Sequence, residues 1–297
     1  MKKYIFLTET IAVLLFVFTI SCQQEGNTKN SSVIENVQQT DEQILDKVHT
    51  VEIDTTENDY EFMTPSPIQI ASILKKVNMP FEDGLTNSVE NADKYPTKLK
   101  QTLNFGVYSC DLAYCITNDK YEQAADFLKA VKKLSSKIGL ETIFRSENLI
   151  DRFESNIGNQ DSIMEILFHV QMMTDDYIND NNLREISVVY FTGAWIEGMN
   201  IGTHTILGND DHKISVLLSE QMTIARSIIK GLRSVKEQNN EIIDLTDHIE
   251  EMVDAYHNLW SVKKEGENID YLDVELNHDE VVEISEMILE LREEITL

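Results

Sequence analysis

The fold class is decided by residues 214–232, which read ISVLLSEQMTIARSIIKGL. Residues three and four positions apart lie on one face of an α-helix, and most of those that recur here at that spacing are apolar. That face consists of Ile214, Leu217, Leu218, Gln221, Ala225, Ile228, Ile229 and Leu232. The stretch therefore predicts an amphipathic helix with one side packed against the rest of the protein.

The same period extends over most of the chain. Further helices are predicted at 66–77, 87–118 (interrupted near Pro96), 121–138, 161–180, 183–207, 242–260 and 281–295. Prolines number only 4 and glycines 11, and segments that alternate with period two are few. We therefore expect an all-α fold of stacked antiparallel helical hairpins, arranged as a compact bundle or a shallow solenoid.

The N-terminus has the layout of a bacterial lipoprotein signal. Lys2 and Lys3 precede the apolar run IAVLLFVFTI at 11–20, and Ser21 precedes Cys22. The run is shorter than the roughly 20 apolar residues that span a membrane, and a small residue before the cut is typical of an exported protein. We expect residues 1–21 to be a signal peptide and Cys22 to be the lipidated residue; the alternatives are simple cleavage nearby and retention of the segment as an anchor.

Composition predicts three parts behind the signal. Residues 22–39 are rich in Gln, Asn and Ser and form a flexible polar tether, because they cannot bury enough apolar surface to fold. Residues 40–297 form a single helical domain, with 40–64 peripheral and 66–297 the core. Gln23 stands where enteric lipoproteins kept at the inner membrane have aspartate. This favours lipid anchoring in the outer membrane of a bacterial cell envelope and leaves open whether the domain faces the periplasm or the surface.

Charge limits the partners. The formal net charge is −27, and so acidic a chain repels phosphate backbones, which argues against nucleic acid. Contact with the membrane is then expected through the acyl anchor at Cys22, and an envelope protein is a possible partner. The remaining cysteines, Cys110 and Cys115, are five residues apart on one predicted helix and cannot form a disulfide there. We expect both to be buried.

Two resemblances add to this interpretation. The segment from Leu112 to Leu134 resembles one tetratricopeptide-type hairpin, with Leu112 and Asp119 standing where glycine is usual and no second copy at the expected period of about 34 residues. The chain also resembles uncharacterised all-helical lipoproteins of Bacteroidota-type bacteria, through Ser21-Cys22, 105–114 (FGVYSCDLAY) and 289–292 (LELR). That resemblance implies an envelope location and a helical fold, and no chemistry.

The most unusual local sequence is 189–204, VYFTGAWIEGMNIGTH. Its three glycines, Gly193, Gly198 and Gly202, each cost a helix about 1 kcal/mol relative to alanine. Glycines in such a position usually permit the close approach of another backbone. This stretch is therefore expected to pack tightly inside the protein.

Polar residues share one face of that predicted helix. Glu197, Asn200 and His204 are three and four residues apart, and Trp195 is nearby. They could line a ligand pocket, with Trp195 as an aromatic platform, or form a solvated edge of a packed helix. Because Glu197 and His204 lie about 10 Å apart along the helix, they could share a ligand but not a hydrogen bond.

No phosphate loop, dinucleotide fingerprint, Gly-x-Ser-x-Gly or His-Glu-x-x-His motif occurs. The sequence thus predicts no cofactor, no metal and no catalytic residue, and leaves enzymatic activity open while favouring its absence. The first functional hypothesis is a binding or assembly module that acts through a helical surface or groove. The alternatives are a small-ligand receptor or enzyme with its pocket on 189–204, and an envelope spacer.

Overall fold

The computed structural model describes residues 81–145, 148–208, 212–263 and 274–297. These residues all belong to one compact unit, Glu61–Leu297. The predicted signal peptide, the tether, the peripheral segment 40–64 and the helix at 66–77 lie outside the described residues.

The described part of the chain is all-α and contains no strand, as predicted. A short 3-10 helix at Val89–Asp93 precedes ten α-helices. The α-helices are α1 (Lys98–Thr117), α2 (Tyr121–Ile138), α3 (Glu141–Arg145), α4 (Leu149–Ser155), α5 (Gln160–Asp180), α6 (Arg184–Gly208), α7 (His212–Arg233), α8 (Asn240–Asn258), α9 (Trp260–Lys263) and α10 (His278–Thr296). None of these helices is long and apolar enough to cross a membrane.

Local sequence signals set many of the helix ends. The side chains of Thr97, Asn159 and Asn239 each accept a backbone N–H in the first turn of α1, α5 and α8. Such caps satisfy amide groups that have no partner inside the helix. The helix α2 ends at Gly139, whose φ of 92° is left-handed and therefore favours glycine.

The predicted buried face of the helix at 242–260 is wrong for its last residue, Trp260. The pattern through 242–260 placed Trp260 on the buried side, yet this side chain is 72% exposed. The helix α8 ends at Asn258, and Leu259 adopts an extended conformation with φ −59° and ψ 146°. The chain turns there, so Trp260 starts the separate helix α9 and leaves the buried face.

Two apolar clusters form the core, and α1 and α6 contribute to both. One cluster lies among α1, α6, α7, α8 and α10 and includes Val107, Trp195, Met222, Ile249 and Ile288. The other lies among α1 to α5 and the start of α6 and includes Phe105, Leu128, Phe144, Ile163 and Tyr190. The pair α1 and α6 is therefore the shared centre of the bundle.

Two glycines permit the contact between α1 and α6. A Cβ atom added to Gly106 would lie 1.8 Å from the carbonyl oxygen of Tyr190, and one added to Gly193 would lie 1.9 Å from that of Leu103. No side chain can be accommodated at those distances. The expectation that a glycine of 189–204 permits a close backbone approach is confirmed for Gly193, and the matching role of Gly106 is an addition from the structure.

Candidate functional site

A buried ion pair lies where α1, α6 and α10 meet. Glu197 on α6 is 0% exposed, and its carboxylate faces Arg292 on α10. Nε of Arg292 donates to Oε2 of Glu197 at 3.1 Å, and Nη2 donates to Oε1 at 3.4 Å. A third donor, Nδ2 of Asn200, lies 3.4 Å from Oε1. Glu197 is thus surrounded by hydrogen-bond donors, as a buried carboxylate requires.

A second carboxyl group, that of Asp111 on α1, lies beside the first. It is also 0% exposed and close enough to Glu197 for the two groups to interact electrostatically. Its Oδ2 accepts the backbone N–H of Asn87 at 3.1 Å. Its Oδ1 receives no donor from the residues that the structure describes. Asp111 therefore has far fewer donors than Glu197.

The pKa values of this cluster follow from burial and charge. Burial raises the pKa of Asp111 well above its usual range, and the neighbouring charge of Glu197 raises it further. Burial also raises the pKa of Glu197, while Arg292 acts in the opposite direction. Although burial alone would lower it, the pKa of Arg292 is raised by Glu197 and Asp111. The cluster thus favours a charged Arg292 and disfavours two ionised carboxyl groups.

Amide and phenol groups extend the cluster towards the segment before α1. Nδ2 of Asn87 donates to the hydroxyl oxygen of Tyr95 at 2.7 Å and to Oδ1 of Asn104 at 3.2 Å. Nδ2 of Asn104 donates to the carbonyl oxygen of Ile295 on α10 at 2.7 Å. The hydroxyl groups of Tyr95 and Tyr108 are 3.3 Å apart. These hydrogen bonds tie segment 81–97 to α1 and α10.

The structure brings three of the four predicted ligand-binding residues together. Asn200 joins Glu197 to segment 81–97, because its Nδ2 also lies 3.4 Å from the carbonyl oxygen of Leu85. His204 is half-buried, and its Nδ1 donates to the carbonyl oxygen of Asn200 at 2.9 Å. Trp195 points elsewhere, with its Nε1 donating to Oε1 of Gln221 on α7 at 3.2 Å.

The interpretation of this face as a solvated edge is wrong for Glu197 and Asn200, which are buried. Their polar atoms are engaged with Arg292, Leu85 and each other, because neighbouring elements cover this face of α6. The ligand-binding role of Trp195, Glu197, Asn200 and His204 stays a prediction.

Sequence reasoning missed Asp111 and Arg292 as members of the cluster. Asp111 is the one charged residue in the stretch FGVYSCDLAY at 105–114. A lone carboxylate in so apolar a helix indicates a buried group with a specific partner. The residues around it in the fold, Glu197 and Arg292, lie far along the chain and leave no local pattern.

The two cysteine thiols of the described chain are buried and unreactive at neutral pH. Cys110 and Cys115 are both free and buried, as predicted. Burial raises the pKa of Cys115 to about 12 and that of Cys110 well above its usual range, so both thiols stay protonated at neutral pH. No three His, Cys, Asp or Glu side chains within the described ranges are placed to hold a metal ion.

A small pocket lies between α1, α2, α5 and α6. Its lining is mainly apolar and includes Phe105, Leu112, Leu128, Leu167, Gln171 and Tyr190. Its volume is about 50 Å³, whereas sites for small organic ligands measure roughly 300–1,000 Å³. In this conformation the pocket has room for water and not for such a ligand.

The outer side of α5 is an exposed surface with mixed apolar and acidic character. Phe168 is 60% exposed and Met172, one turn later, is 45% exposed. The exposed acidic residues Asp161 and Glu165 precede them, and Asp175 and Asp176 follow. We call these six residues the α5 face.

No protein-family model, curated protein or solved structure matches this chain. The α5 face and the buried cluster are therefore the features of this protein that bear on its function.

Proposed function

We propose that this protein is a lipid-anchored binding or assembly module of the bacterial cell envelope, and that its α5 face binds a basic, apolar segment of a partner protein. The observation that carries the proposal is the 60% exposure of Phe168. A phenyl ring so exposed beside a second exposed apolar side chain, that of Met172, is typical of interaction surfaces.

Charge specifies the partner. The helix α5 contains five acidic residues, Asp161, Glu165, Asp175, Asp176 and Asp180, and no lysine or arginine. Acidic side chains lie before and after the apolar pair, so a segment that covers Phe168 and Met172 meets carboxylates at both ends. A partner segment with an apolar stripe bordered by Lys or Arg fits this arrangement.

The predicted anchor at Cys22 would hold this surface at the membrane. The high negative charge disfavours self-association through the α5 face, because two copies would oppose like charges there. A partner with the opposite charge is therefore favoured over a second copy of this chain.

The first test uses a probe of the proposed chemistry. A synthetic amphipathic helix with leucines on one face and lysines along its borders is titrated against the full chain in detergent. We expect binding that weakens as salt rises, because the acidic residues contribute to it. We expect affinity to fall at least tenfold in Phe168→Ser/Met172→Ser, since exposed aromatic anchors dominate such contacts.

A matched control separates the α5 face from the general acidity of the protein. Ile243 on α8 is 42% exposed, so Ile243→Ser removes a comparable apolar group from another surface. Its affinity for the peptide should equal that of the wild type. Equal affinity of Phe168→Ser/Met172→Ser and wild type would contradict the proposal.

The anchor is tested separately. Crosslinking in intact cells, with a tag at Leu297, is compared between wild type and Cys22→Ser. A basic partner crosslinked to wild type and not to Cys22→Ser or Phe168→Ser/Met172→Ser is the expected result. If the Cys22→Ser variant is still recovered in detergent-extracted membranes, the anchor lies elsewhere.

A further inference from the structure

Two carboxyl groups meet one guanidinium group in the interior. Asp111 and Glu197 are both fully buried, and Arg292 is the cation that acts on both. With both carboxyl groups ionised, the cluster would carry a net negative charge away from water, which is strongly unfavourable. Neutrality requires one proton in addition to Arg292.

The hydrogen bonds indicate which carboxyl group takes that proton. Among the described residues, Glu197 receives donors from Arg292 and Asn200, whereas Asp111 receives the N–H of Asn87 on Oδ2 and no other donor. Oδ1 of Asp111 has no donor in the described part of the chain. Two ionised carboxylates in contact repel, but a carboxylic acid can donate to a carboxylate.

We propose that Asp111 and Glu197 form a buried proton-binding site, in which protonated Asp111 donates a hydrogen bond to ionised Glu197. The site then contains one proton, one carboxylate and one guanidinium and is electrically neutral. The proton is taken from water when the protein folds at neutral pH and returns to water when it unfolds.

Two tyrosines and a thiol beside the site also have raised pKa values. Tyr108 and Cys110 on α1 and Tyr95 before it are buried, and burial raises the pKa of each. They therefore add no charge near neutral pH. His204 on α6 is bonded to the carbonyl oxygen of Asn200 and not to either carboxyl group. Arg292 on α10 remains the charge that balances the site.

The site also fastens segment 81–97. Asp111 accepts the N–H of Asn87, and Asn200, bonded to Glu197, contacts the carbonyl oxygen of Leu85. Loss of the proton would leave both Asp111 and Glu197, which take part in these hydrogen bonds, negatively charged. The proton-binding site therefore couples pH to the attachment of the segment that leads towards the N-terminal part of the chain.

The sign of the pH dependence follows from linkage. A carboxyl group whose pKa is raised on folding binds more protons in the folded state, so stability falls as pH rises from the unfolded pKa to the folded one. Asp111→Asn replaces the acid with an amide that can donate to Glu197 and accept from Asn87 at every pH. The variant removes the titration and keeps the hydrogen bonds.

The test measures unfolding of the full chain in detergent from pH 5 to pH 9 for wild type and Asp111→Asn. We expect the folded-to-unfolded ratio of wild type, divided by that of Asp111→Asn, to fall by up to tenfold per pH unit until the folded pKa is reached. The matched control is Asp126→Asn, the same change at an exposed residue paired with Lys129. The folded-to-unfolded ratio of wild type, divided by that of Asp126→Asn, should be nearly constant from pH 5 to pH 9. Parallel profiles for wild type and Asp111→Asn would overturn the proposal.

A second measurement does not depend on folding of the variant. Infrared spectra of the wild-type chain at pH 7 should contain the C=O stretch of a protonated carboxylic acid, and the band should vanish on unfolding. Absence of that band from the folded protein would overturn the proposal.

Discussion

The helices α1 and α6 touch in two very different ways. At Gly106 and Gly193 their backbones meet with no side chain between them. At Asp111, which follows Gly106 by about 7.5 Å along α1, two carboxyl groups stand between the helices. The first contact depends on size alone, and the second depends on charge and on one proton.

The comparison shows how one helix pair can be rigid and yet sensitive to pH. Because a backbone contact has no titratable group, its stability should not change between pH 5 and pH 9. The carboxyl pair, by contrast, can gain or lose a proton.

The largest loss of stability is expected from a substitution that breaks the glycine contact between α1 and α6. Gly106→Ala places a methyl group where the backbone of Tyr190 lies, so a helix must shift, and we expect a loss of about 3 kcal/mol in the free energy of unfolding. Chemical denaturation measures it. In Gly158→Ala the new Cβ meets no atom within 4 Å, and only its positive φ should cost about 1 kcal/mol. Equal losses in the two variants would show that the contact is less tight than described.

The next effect removes the cation from the carboxyl pair. Arg292→Met leaves the ionised carboxylate of Glu197 buried without its countercharge, and we expect a loss of about 3 kcal/mol at pH 7. Protonation of Glu197 removes that buried charge, so the loss should shrink at pH 5. The control is Arg233→Met, which breaks the exposed pair with Glu250 and should cost less than about 1 kcal/mol. If the loss of stability in Arg292→Met does not change with pH, Arg292 does not affect the protonation of the carboxyl groups.

The smallest expected effect comes from a substitution in the outer part of the buried cluster, at Tyr95. Tyr95→Phe removes the hydroxyl group that accepts from Asn87, and we expect a loss of about 1 kcal/mol. Tyr121→Phe is the matched change, because its hydroxyl group bonds to exposed Asp119 and should be nearly neutral. Denaturant unfolding compares them. If both variants match wild type, the hydrogen bonds around Asn87 contribute nothing measurable.

Most of the helices could be predicted because their apolar period is long and repeated. The helices α3 and α4 were not predicted, since 5 and 7 residues are too few to establish a period. The packing role of Gly193 followed from the cost of glycine in a helix. The cost of a glycine does not indicate which backbone segment packs against it, so the contact with Leu103 could not be predicted.

The candidate site was predictable only on one helix. Glu197, Asn200 and His204 share a face because of their spacing within α6. The pairing of Glu197 with Arg292 spans 95 positions, and such a contact is fixed by tertiary packing. The solvated edge, one of the two interpretations of this face, is wrong for Glu197 and Asn200, which are buried.

The position of Arg292 on α10 bears on the order in which the protein assembles. A chain synthesised from its N-terminus contains α1 and α6 before α10 has been made. Until then the carboxyl groups of Asp111 and Glu197 lack their arginine, and Asn104 lacks the carbonyl oxygen of Ile295. A partly synthesised chain would therefore bury the carboxylate of Glu197 without its countercharge, which disfavours closure of the centre before α10 is complete.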